Sequence, residues 1–239
     1  MAVTGSYARG QGGRFSDVDV TIYVDTMPEN RYDRFTLRSW DGRLVSLKYI
    51  PVEEELAELS RPWDAIWAVP GLRQMRIVLD NFGKLAELQR LAKEFEWSKL
   101  QPAADEYAVV KLMGCAEEVH KILNGLTHNM ESAVLYAVWG LVKGLAEGIA
   151  TQRGLLIESE NRYFDIIQDS VGRTSEWTHS FRLALGADHG PLDMPPFKMR
   201  GAAALRLYRH TETLLSIIIP DQHREVIQST VDLIQQGGY

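Results

Sequence analysis

The stretch GSYARGQGGRFSDVDVTIYVD, residues 5–25, sets a Gly-Ser pair, a short basic linker and two carboxylates ahead of an apolar run. Asp17 and Asp19 alternate with Val18, Val20 and Ile22. On a strand, residues two apart share a face and stand roughly 6.5 to 7 Å apart. The valines then turn to a core and both carboxylates turn away from it together. Two carboxylates held this close repel, and a cation between them relieves the repulsion. Hard oxygen ligands with open positions suit Mg²⁺, which takes one or two carboxylates plus substrate phosphates. The same residues also read as a hairpin with solvated charges, since an Asp-x-Asp or a Gly-Ser alone is a weak signal.

Upstream of the pair stands VTGSYARG, residues 3–10. If residues 2–4 end a strand and Ser6 begins a helical turn, free backbone N–H groups face outward there, a ready anion site. Gly5 lets the backbone approach a ligand closely. The Ser6 hydroxyl can donate to a phosphate oxygen, and Arg9, one turn on, can add a charge-assisted contact. Gly10, Gly12 and Gly13 make the linker supple.

The remainder bounds the classes. The chain has 239 residues, 45% hydrophobic and 24% charged, enough for one large domain or two small ones. A net charge of −6 argues against generic nucleic-acid binding. One cysteine, Cys115, leaves no intrachain disulfide and fits a reducing, cytoplasmic setting. No signal peptide is visible, and no apolar run reaches the ~20 residues of a membrane span. The six histidines show no metal-binding spacing.

Residues 1–98 read as a small mixed α/β domain and 99–239 as a helical bundle, an α+β chain with its boundary at WSKLQPA (97–103). TIYV (21–24) and LVSLKYI (44–50) are β-rich, and the Asp-Gly of WDGRL turns FTLRSW into LVSLKYI as a hairpin. PVEEELAEL (51–59) starts a helix with Pro51 in its first turn. Leu85, Leu88, Leu91, Ala92 and Phe95 recur at helical spacing. Four or five amphipathic helices follow, beginning with one over 106–123, and the loop 186–197 separates two of them. ESENRYF (158–164) either lines a cleft or caps a helix. The tryptophans 63, 67, 97, 139 and 177 read as packing anchors.

Gly-Ser, a linker and Asp-x-Asp on a strand resemble the signature of the DNA polymerase beta-like nucleotidyltransferase superfamily. The layout beyond is similar to its antibiotic-modifying, kanamycin-type branch. The resemblance implies that Gly5 and Ser6 hold the triphosphate of an NTP, ATP first, aided by Arg9. It implies Asp17 and Asp19 as Mg²⁺ ligands and catalytic residues. Glu117, four residues before Lys121 in CAEEVHKIL, matches the family's glutamate-lysine spacing, with Glu117 as base and Lys121 at the α-phosphate. The same pair also reads as an i,i+4 surface ion pair. The implied acceptor is the hydroxyl of a small molecule such as an aminoglycoside, held between the domains. The implied partners exclude membrane and nucleic acid and include a second copy of the chain, since the branch often dimerises. Two departures stand out. The motif strand begins at residue 2, where the family usually has a helix before it. The strand position that often supplies a third carboxylate falls on Ser46. The first leaves an N-terminal helix missing or a late start; the second leaves open a catalytically degenerate nucleotide-binding protein. The resemblance also implies, as an alternative, a toxin–antitoxin enzyme with a protein acceptor. Arg182-x6-His189 has ribonuclease-like spacing and is read as accidental.

Overall fold

The computed structural model describes residues 1–189 and 194–239. Residues 190–193, within the expected 186–197 loop, lie outside the described residues. The chain divides into two compact units, Met1–Gln101 with Leu156–Tyr163, and Pro102–Leu155 with Phe164–Tyr239.

The first unit runs β1 (Ala2–Thr4), α1 (Gly5–Ala8), β2 (Val18–Val24), β3 (Phe35–Trp40), β4 (Arg43–Pro51), α2 (Val52–Glu58), α3 (Pro62–Gln74), β5 (Arg76–Ile77) and α4 (Lys84–Lys93). The sheet order is β3-β4-β2-β1-β5. β2 and β4 are parallel and the other pairings antiparallel, a mixed sheet. The β3–β4 hairpin forms as the Asp-Gly pair predicts. Asp41 and Gly42 both take positive φ, 48° and 71°, which a two-residue turn matched to strand twist requires. Register puts Thr4, Asp19, Ser46 and Leu37 opposite one another across four strands, hence on one face. Asp17 sits one residue before β2 rather than on it. Pro51 is the N-cap of α2 and not part of its first turn.

Helix α3 is absent from the sequence reading. Pro62 opens it, but Ala65, Ile66, Ala68, Val69, Pro70 and Leu72 are all buried, so no polar face marks its period. Leu72, Met75, Leu85, Leu88 and Ala92 pack with Ala2 into one core against which Tyr23, Val52 and Leu59 lie.

The second unit contains, among the described residues, α5 (Gln101–Gly114), α6 (Ala116–Thr127), α7 (Glu131–Gln152), α8 (Tyr163–Val171), α9 (Glu176–Leu185), α10 (Pro196–Leu215) and α11 (Asp221–Gln236). That is more than the four or five expected. The helix expected over 106–123 is two, parted at buried Cys115 after Gly114, a poor helix former. Helix α7 packs on α6 and α10. Its 22 residues are long and apolar enough to cross a membrane by length and composition, which corrects the sequence reading. Val134, Leu141, Leu145 and Ile149 bury within this unit. Gly125 and Gly201 permit the approach, since a Cβ at either would press on Val134. Trp177 stacks on Phe181 at 4.9 Å and donates to Thr211 Oγ1 at 2.8 Å, a true packing anchor.

Candidate active site

A cavity of about 530 Å³ in the first unit gathers Gly5, Ser6, Arg9, Asp17 and Asp19, all five of the residues that the opening stretch proposed. Its other walls include Trp67, Gly71 and residues 157–161.

Asp19 is placed from two sides. Ser46 Oγ donates to Asp19 Oδ1 at 2.7 Å from the neighbouring strand. Asp19 Oδ2 lies against Gly5, where any Cβ would overlap it, and Gly5 holds φ +65°. Glycine is therefore required at residue 5 by both space and backbone. The next side chain, Ser6, has a buried hydroxyl with no partner among the described residues. A buried hydroxyl left this way is costly unless a ligand completes it.

The linker is folded rather than merely supple. Gln11 N–H donates to Ser6 O at 2.9 Å, and Gly10 N–H to Tyr7 O at 3.2 Å. The Tyr7 ring lies on Gly12, where a Cβ would come within 2.8 Å of it, and its hydroxyl accepts from Arg43 Nη1. Gly13 N–H donates to Ser16 Oγ at 3.0 Å, closing the turn before Asp17. Arg9 donates from Nη1 to Glu158 O at 2.8 Å and from Nε to Gln11 Oε1 at 3.1 Å.

Four carboxylates line the cavity (Asp17, Asp19, Glu158, Glu160) against one described cation, Arg9. A triphosphate in that field needs added positive charge. Among the described residues no group of three His, Cys, Asp or Glu side chains forms a metal cage. Two carboxylates, an orphaned Ser6 hydroxyl and open space fit an ion that keeps positions for substrate phosphate, as Mg²⁺ does.

Glu117 and Lys121 lie on α6 in the second unit, lining a groove of about 730 Å³ with Glu225, Val226 and Leu233 of α11. Lys121 Nζ is 2.8 Å from Glu118 Oε1 and 4.0 Å from Glu117 Oε2, and Glu117 is 83% exposed. Sequence reading missed Trp67 as a cavity residue. It lies in the helix that has no periodic signal, and its ring stacks on Tyr163 at 5.3 Å. ESENRYF did carry the signal for the 158–161 wall, as one of two readings.

Residues 1–76 match the family model described as a nucleotidyltransferase domain. Residues 1–76 thus form a nucleotidyltransferase domain in a mixed sheet with helices, followed by a helical region, and that domain supports transfer of a nucleoside monophosphate in general. A nucleotidyltransferase-like protein from Exiguobacterium sibiricum has a similar structure, with a TM-score of 0.49 at 12% identity, over 89% of this chain and 67% of its own. No curated protein matches the chain.

Proposed function

We propose that the first unit binds Mg²⁺ and ATP and transfers AMP to a hydroxyl of a small cationic acceptor of the aminoglycoside kind. The observation that carries the reading is the seating of Asp19 between Ser46 Oγ and Gly5, beside the unpartnered Ser6 hydroxyl. Asp17 and Asp19 would hold the metal, which supplies charge neutralisation of the triphosphate and Lewis acidity at the transferred phosphoryl. Ser6 donates to a phosphate oxygen and Arg9 adds a charge-assisted bond, which together orient the chain of phosphates. Glu158 and Glu160 in the same cavity favour a cationic acceptor.

The proton acceptor is a carboxylate, with Glu117 proposed from the sequence and Glu158 and Glu160 from the cavity. Gln substitution at the true base lowers kcat about 10²- to 10⁴-fold while leaving ATP binding intact. The test of the whole reading is labelled-ATP turnover with Mg²⁺ against aminoglycosides and lincosamides, wild type beside Asp19→Ala. Asp19-dependent, chelator-sensitive labelling of a drug with pyrophosphate release is the expected result. ATP binding without transfer to any drug would defeat it.

A second reading has its own observation. Ser46 stands at the strand position beside Asp19 and brings a hydroxyl where a carboxylate would bring a ligand or base. On that reading the domain binds nucleotide without turnover, and pyrophosphate release excludes it. A protein acceptor, the toxin–antitoxin alternative, would show as labelling of a protein in place of a drug.

A further inference from the structure

Pro70 stands buried inside α3, where a proline is costly because it has no N–H and crowds the carbonyl four residues back. That carbonyl is Ile66 O, and it accepts instead from the N–H of Ile157 at 2.7 Å. Ile157 is 2% exposed and opens the 157–161 wall of the cavity. The next residue, Glu158, presents the carbonyl that takes Arg9 Nη1 at 2.8 Å. Beyond it, Tyr163 stacks on Trp67, the neighbour of Ile66, with ring planes 29° apart. One missing N–H in α3 is therefore linked by two hydrogen bonds to the guanidinium in the cavity.

We infer that Pro70 is a positioning residue for nucleotide binding: it leaves the Ile66 carbonyl free to seat Ile157, and the seated segment holds Arg9 through the Glu158 carbonyl. This rests on the reading of the cavity as a nucleotide site. With alanine at 70, an N–H competes with Ile157 for Ile66 O. Arg9 then loses its fixed carbonyl and must be ordered by the ligand, which weakens binding.

The experiment uses the full chain and ATP with Mg²⁺ as the probe. Dissociation constants are measured by calorimetry for wild type, Pro70→Ala, Arg9→Ala and the double variant. Amide exchange at Ile157 is followed without nucleotide. The expected result is faster exchange at Ile157 in Pro70→Ala, an unchanged or raised Tm, and ATP binding weakened about three- to tenfold. In the Arg9→Ala background, Pro70→Ala should weaken binding no further, because it acts through Arg9. A purely structural proline would instead lower Tm or add its full effect in both backgrounds, and either result overturns the inference. Wild type that fails to bind ATP overturns the nucleotide reading itself. Wild type that binds, beside a Pro70→Ala with the same dissociation constant, overturns this inference alone.

Discussion

Asp19 has almost no freedom: a serine hydroxyl fixes one oxygen and a glycine backbone walls the other. Gly5→Ala introduces a Cβ into Asp19 Oδ2 at a φ of +65°, which a side chain adopts only at a cost of about 1–2 kcal/mol. With Asp19 as the proposed metal ligand, displacing its carboxylate by an ångström costs about 10²-fold in turnover, so steady-state kinetics of Gly5→Ala should show at least that loss in kcat/KM. Ser46→Ala removes one hydrogen bond and leaves the carboxylate in place. Its expected effect is a two- to tenfold fall in kcat/KM, about one hydrogen bond's worth, with Tm nearly unchanged. At this scale the sequence was informative. Gly5, Ser6, Asp17 and Asp19 are close in sequence, so spacing alone could align them. Trp67 was not legible as a site residue, because its place depends on a helix with no amphipathic signature.

Helix α2 brings a titratable group into the fold. Glu55 is buried, and that burial, reinforced by Glu58 and opposed by Lys48, pushes its carboxyl up to about 7. Tyr23 is pushed up as well by its own burial and by Glu55 and Glu58. The native state therefore prefers Glu55 protonated. Its contribution to stability is fully present below the unfolded value of 4.5 and is lost as pH rises through about 7. Glu55→Gln should then be the more stable protein above pH 7, by up to roughly 3 kcal/mol, and should converge on wild type below about pH 4.5. Chemical denaturation across that range reads the difference. A constant gap at all pH values would place the effect in packing instead. PVEEELAEL announced the helix through its first-turn acids, and the Asp-Gly turn announced the hairpin, because both are local backbone signals. Which glutamate is buried is a packing outcome: three stand in the first turn, and the sequence treats them alike.

The chain as a whole is two compact units, and the first takes in residues 156–163 from far along the sequence. Hydrogen exchange with and without ATP and Mg²⁺ should show protection at residues 5–19, 66–71 and 156–163, the cavity's own segments. Protection extending to α6 would support Glu117 and Lys121 as nucleotide contacts, whereas an unchanged α6 would leave them as the surface ion pair their distances describe. Local patterns in the sequence determined the mixed α/β region, the helical region and the five cavity residues of the opening stretch, since turns, strand alternation and a short motif act over a few residues. Only the tertiary structure decided that Ser46 braces Asp19, that Pro70 frees a carbonyl for Ile157, and that residues 157–161 wall the cavity. Those contacts join positions up to about 150 residues apart, as Arg9 and Glu158 are, and no local propensity encodes which distant backbone group a free carbonyl will meet.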